Sequence, residues 1–228
     1  MKPNDTEQQE SIATFRGMLD QLAAWAADEG SLVLPCKSTG PVCFVALASE
    51  MQAQIVERTA RYLAVCGDVR SAGGSLEDGR RLFWATVRRL GLRPVSDFLA
   101  EVQASDVIEI YDRNFVQLFR SFNFFKLSGY TLDEVLCRPS LELFRRDPAQ
   151  TRALLDAAKA LFEAAKPATT RLFGPLYVIE ERASRARRRL LVQDKLAAPL
   201  FDAEGRVIAI ATTFDCHVSD GRPSPSFP

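Results

Sequence analysis

Histidine is almost missing: the 228-residue chain has one, His217. That scarcity removes the raw material for the usual zinc ligand sets and for Ser/His/Asp or Cys/His catalytic arrangements, so no enzyme is expected. Cysteine is sparse and scattered. Cys36, Cys43, Cys66, Cys137 and Cys216 are odd in number and form no CxxC pair, which favours reduced thiols over a disulfide framework. Cys36 and Cys43 flank a Pro/Gly loop and could form a redox-sensitive disulfide, but ordinary loop and core thiols are the simpler reading. Charge of one sign is not in excess either. Lys+Arg and Asp+Glu each number 29, so no net charge draws the molecule to nucleic acid or an anionic membrane, and a charged partner must meet a local patch. No apolar run approaches the ~18 residues that span a bilayer. The amino end, MKPNDTEQQESIATF, lacks the basic start and apolar stretch of a secretory signal. A cytoplasmic protein without a membrane partner is the expectation.

What is present is an ordinary globular composition, 47% hydrophobic and 25% charged, enough for one large core or two smaller ones. Residues 1–104 read as helical. Ile12, Phe15, Leu19, Leu22 and Trp25 make one stripe over Gln8–Asp28, and Gly30 ends it. Leu47, Met51, Ile55, Tyr62 and Leu63 mark a second helix over about Val45–Val65, followed by a loop over Gly67–Gly74. Ser75 offers an N-cap for a third helix carrying Leu82, Phe83, Val87 and Leu90, and Gly91 stops it. Pro94–Gln103 reads as a short connector helix. Its apolar side needs a cover, which makes a homodimer contact there an expectation.

Beyond Ser105 the period changes from helical to alternating. Asp106–Tyr111 and Phe115–Phe119 form a hairpin about Asp112–Asn114. Thr131 and Glu134 have capping-box spacing for a short helix. Asp147 before Pro148 starts a longer helix, expected to run to about Ala165. Strands return at Arg171–Glu180, Arg188–Leu200 and Arg206–Asp215, and residues 219–228 read as a disordered tail.

Two phrases narrow this α+β pattern. Asn123-Phe-Phe-Lys-Leu-Ser-Gly-Tyr-Thr-Leu-Asp-Glu-Val-Leu136 resembles the early helical segment of the PAS family. Ala198-Pro-Leu-Phe-Asp-Ala-Glu-Gly-Arg-Val-Ile-Ala-Ile-Ala-Thr-Thr-Phe-Asp215 is similar to that family's closing hairpin. The resemblance covers residues 105–218. It implies a five-stranded antiparallel sheet with helices on one face, often around a small-molecule pocket; with the N-terminal helical unit read from periodicity in front of it, the expected fold class is α+β.

From the alternation, Ile108, Ile110, Val116, Leu118, Phe125, Tyr130, Leu136, Leu172, Val178, Ile208, Ile210 and Thr212 would line such a pocket, or else fill a solid core. Asn123, Gln193 and Thr212 are the polar groups placed to orient a ligand. No cofactor is expected. A flavin photosensor would need a different phrase around Cys137 than Leu136-Cys-Arg-Pro139, and His217, past the last strand's face, is poorly placed to hold haem iron. The run Arg182–Arg189 could hold phosphate or carboxylate, but without a nucleic-acid motif a solvated hairpin is favoured. The resulting expectation is a sensory module that detects a small ligand or a partner and passes its state to a separate signalling protein. The alternatives are a ligand-free scaffold and a transcriptional regulator using the arginine run.

Overall fold

The structure is a computed structural model that describes residues 5–95, 97–164, 168–172 and 175–219. The expected tail and the end of the helix near Ala165 lie outside the described residues, except Ser219. The first helix, α1 (Asp5–Asp28), buries Phe15, Leu19, Leu22 and Ala26 as its periodicity dictates. A single turn, α2 (Val42–Val45), leads into α3 (Ser49–Ser71). This helix continues through Gly67, where a loop is expected; the position lies beside the Trp25 ring, which a Cβ there would meet at an ordinary 3.6 Å. The next helix, α4 (Gly79–Arg89), is capped by Asp78 rather than Ser75, the Asp78 carboxylate accepting the Arg81 N–H at 3.1 Å. Ser75 donates to Glu29 instead.

The connector differs from the helix expected over Pro94–Gln103. Arg93–Pro94 is a strand, β1, and only Phe98–Glu101, α5, is helical. The Arg93 guanidinium donates to the carbonyls of Asp202 and Ala203, which pins this segment to the sheet. Phe98 is fully buried against Phe83 of the same chain, with ring centroids 5.4 Å apart. The apolar cover expected from another copy is therefore supplied internally for Phe98.

The sheet follows: β2 (Val107–Asp112), β3 (Gln117–Arg120), β4 (Phe144–Arg145), β5 (Thr170–Arg171), β6 (Tyr177–Glu181), β7 (Arg189–Phe201) and β8 (Val207–Val218). Its antiparallel order is β3-β2-β8-β7-β6-β4, and β5 and β1 also pair with β7. The fold is α+β as expected, but among the described residues the sheet has eight strands rather than five, and helices cover both faces rather than one. Register gives the reason. Ile108 pairs with Thr213 and Ile110 with Ala211, while Glu109 pairs with Thr212 and Tyr111 with Ile210, so the two sets point to opposite faces. On the first face α4 comes so close that a Cβ on Gly79 would lie 3.7 Å from Ile108. On the second, Ala158 and Leu161 of α9 (Pro148–Glu163) cluster with Ala197 and Ile210.

Between β3 and β4 lie α6 (Asn123–Leu127), α7 (Leu132–Cys137) and α8 (Ser140–Leu143). The capping box forms: Thr131 Oγ1 accepts the Glu134 N–H, and Glu134 returns a bond from the Thr131 N–H at 2.9 Å. Asp133 in the same phrase is fully buried and accepts the N–H groups of Cys43 and Phe44, both at 3.0 Å. This carboxylate ties the family-like phrase to α2. The stripes of the helical half thus pack on one another and on the sheet in one continuous core. Among the described residues no helix is long and apolar enough to cross a membrane.

Candidate ligand cavity

A cavity of about 900 Å³ opens on the Glu109 face of the sheet. Its floor is Glu109 and Tyr111 of β2, Ile210, Thr212 and Phe214 of β8, and Val192, Asp194 and Ala197 of β7. One wall is α9, through Leu154, Leu155 and Ala158. Another is the segment through α7 and α8, with Leu136, Cys137 and Ser140. The helical half supplies the rest, because α3 passes the free edge of β3 and presents Met51, Ile55, Arg58, Thr59 and Tyr62. The Tyr62 hydroxyl donates to the Arg120 carbonyl at 2.9 Å and fixes that passage.

Of the residues expected to line a pocket, the structure brings Val116, Leu118, Phe125, Leu136, Leu172, Ile210 and Thr212 to this wall. Ile108 and Ile110 are on the opposite face, buried under the helical half. Val178 and Gln193 are each one residue out of phase: Tyr177, Ile179 and Asp194 face the cavity instead, and Gln193 is exposed. Ile208 is 40% exposed, outside the wall. Asn123 is structural. Its amide donates to the carbonyls of Ser105 and Asp106 at 3.0 and 3.1 Å, and its oxygen accepts from Ser121, joining α6 to the start of β2. Tyr130 is structural too: its hydroxyl donates to the Leu143 carbonyl and accepts the Arg182 and Ala183 N–H groups.

Sequence reasoning missed a polar network on the cavity wall. Arg120 Nε donates to Glu109 Oε1 at 2.5 Å, while the Tyr111 hydroxyl donates to Glu109 Oε2 at 2.6 Å. The Gln117 amide donates to both Glu109 and Tyr111. Arg120 also lies over the Phe124 ring, 4.1 Å from its centroid. Burial alone would lower the Arg120 pKa, but Glu109 and Tyr111 raise it overall, so the guanidinium stays charged. The Arg120 and Arg146 guanidiniums both reach Ser140 Oγ, at 3.2 and 3.4 Å. Asp194, turned inward beside a register shift at Lys195, has its carboxyl pushed up by burial, with Tyr177 and Arg146 acting the other way. The signal was present in Val107-Ile-Glu-Ile-Tyr111: on a strand covered on both faces, a central glutamate must point into an enclosed space and find a partner there.

The remaining candidates fall elsewhere. Arg188 donates to the carbonyls of Lys126, Leu127 and Ser128 at the end of α6, and Arg189 pairs with Glu180 at 3.2 Å, so two members of the arginine run serve the fold. His217 lies within β8, paired with Leu191, rather than past the strand as expected, because β8 runs on to Val218; it is half exposed, 3.6 Å from Asp215 and off the cavity wall. Cys137 lines the cavity with its sulfur 3.6 Å from Asp133, and burial pushes its thiol pKa up. Cys36 and Cys43 are free thiols.

Comparison with known proteins gives a loose likeness. No family model matches the chain, and no curated protein matches it. A solved structure, the domain of a histidine kinase from Haloarcula marismortui described as light- and redox-sensing, is 14% identical. The match covers 52% of this chain and 93% of that one, with a TM-score of 0.31. At that score the likeness carries no argument, and function has to be read from the cavity.

Proposed function

We propose that this chain is a sensory module: a small molecule enters the cavity, and its presence is passed through the helical half to a separate signalling protein. The observation that supports the reading most is the cavity itself. At about 900 Å³ it lies within the range of pockets that hold small organic ligands, and it combines apolar walls with a few fixed polar groups. The route out is supported by α3, which lines the cavity through Ile55, Arg58 and Tyr62 and packs against α1 and α4 on its other sides. A ligand that touches α3 acts directly on the helical half. The role is one of binding rather than catalysis.

Native mass spectrometry of freshly purified protein tests this. The expected result is a retained small molecule that is lost when Ala158→Trp fills the cavity, or a thermal upshift with a member of a small-metabolite library that the same substitution abolishes. A bare chain with no thermal response to any compound would overturn the reading.

A further inference from the structure

Three buried polar atoms on the cavity residues have no hydrogen-bond partner among the described residues: Arg120 Nη1, Arg146 Nε and Asp194 Oδ2. Interior donors and acceptors are almost always paired, so such atoms call for an explanation. They are not scattered. Arg120 and Arg146 both reach Ser140 Oγ, which places two guanidinium groups side by side with an unused N–H on each. Glu109 balances Arg120, but among the described residues no carboxylate lies within ion-pair distance of Arg146. Arg120 is 4% exposed and Asp194 9%, so bulk water does not freely solvate either side chain. Paired guanidinium donors match the two oxygens of a carboxylate. The unfilled acceptor on Asp194 asks for a donor, and a neutral hydroxyl suits a carboxyl site where burial already disfavours charge.

The rest of the cavity sets the body of the ligand. Leu118, Leu154, Leu172 and Ile210 face a space far larger than a headgroup needs. An inorganic anion or a small dicarboxylate would leave that apolar wall against a void.

We infer that the cavity takes an amphipathic organic acid: its carboxylate accepts from Arg120 Nη1 and Arg146 Nε, a hydroxyl near that head donates to Asp194 Oδ2, and its apolar body lies along Leu118, Leu154, Leu172 and Ile210. The inference rests on the sensory reading above and names the class of molecule sensed.

Isothermal titration calorimetry with 3-hydroxydecanoate, decanoate and decan-1-ol provides the test. Loss of a hydrogen bond to a charged group corresponds to about 10- to 100-fold in affinity. Decanoate should therefore bind about 10- to 100-fold more tightly than decan-1-ol, and 3-hydroxydecanoate more tightly again. Arg146→Gln, at a partly exposed side chain whose loss spares the Glu109–Arg120 pair, should weaken both acids by about 10- to 100-fold and leave decan-1-ol unchanged. Asp194→Ala should erase the advantage of the hydroxy acid alone. Thermal melts of both variants confirm that they fold. Equal binding of decanoate and decan-1-ol to the wild type, or acid binding unchanged in Arg146→Gln, overturns the acid-binding head while leaving an apolar cavity in place. Failure of all three probes with another molecule retained in the native spectrum overturns this inference alone; a bare, unresponsive chain removes the sensory reading as well.

Discussion

Replacing Asp133 by alanine probes the join between the two halves of the chain. Its side chain is fully buried and accepts two backbone N–H groups at the start of α2, from Cys43 and Phe44. Phe44 in turn stacks on Phe15 of α1, with centroids 4.2 Å apart and planes at 16°. The backbone beside it adds the Leu132 N–H to Leu34 and the Asp133 N–H to Pro35. A hydrogen bond to a charged group contributes about 1.5–3 kcal/mol. Two such bonds, one of them partly exposed, give an expected loss of about 3–4 kcal/mol, a large share of the ~5–15 kcal/mol that holds a typical domain. Urea unfolding measures it. With a slope of about 2–3 kcal/mol per molar, the midpoint should fall by about 1–2 M. Trp25 and Trp84 both report from the helical half, whereas far-UV circular dichroism also reads the sheet, and the one continuous core predicts that both signals move together. Asp133→Asn, which keeps one carbonyl acceptor, should lose about half as much. A midpoint shift below about 0.3 M, or a tryptophan transition that separates from the circular dichroism transition, would refute the argument.

Three further outcomes follow from single groups. Thr213 Oγ1 is buried without a partner among the described residues, so Thr213→Val, which keeps the shape and removes the orphaned hydroxyl, should leave stability unchanged or raise it by up to about 1 kcal/mol; a loss of more than about 1 kcal/mol in thermal denaturation refutes it. Arg188→Ala should cost about 1–2 kcal/mol by uncapping α6, whereas Arg185→Ala, at an exposed neighbour, should stay within about 0.5 kcal/mol, and equal effects in urea melts would count against a structural Arg188. Burial pushes the Cys216 thiol from 9.0 up to about 12. Above pH 9 the unfolded chain therefore releases a proton that the folded chain keeps, so this group's contribution is intact below pH 9 and is lost as pH rises towards 12. Cys216→Ala should flatten the fall in urea midpoint between pH 9 and 10.5, and parallel pH profiles would contradict that.

Much of the fold was legible because local signals acted alone. The stripe of α1, the Thr131–Glu134 capping box, the Asp147 cap and the turn before β8 are decided within a few residues. The errors came where a distant partner decides. Gly67 points to a loop because nothing nearby reveals Trp25 beside it, and Pro94 points to a helix start because its strand partner, Leu200, is far along the chain. The cavity was half legible for a related reason. Alternation marks two faces, but choosing the inner one assumes that the outer face is wet. Here α4 buries the outer face, so Ile108 and Ile110, expected in the pocket, lie away from it, and Glu109 between them faces it. Asp133, and Glu181 whose carboxylate accepts the Gly129 and Arg188 N–H groups, are invisible as anchors, since a buried carboxylate is recognised only by the donors that surround it.

The outer edge of β7 is occupied in turn by β6, β5 and β1, and β1 comes from the helical half. During synthesis this sets an order of events. Arg93 and Pro94 leave the ribosome with no strand to join, and Ile108, the residue that α4 shelters, reaches its own central partner only when β8 arrives. Phe83 and Phe98 can pair with each other early, but β7 and β8, which complete the sheet beneath them, come much later in the chain. Folding is consequently governed by contacts between distant parts of the chain, which makes it slow and leaves apolar helix faces open in the meantime. The closing hairpin of β7 and β8 is therefore the element that completes the core.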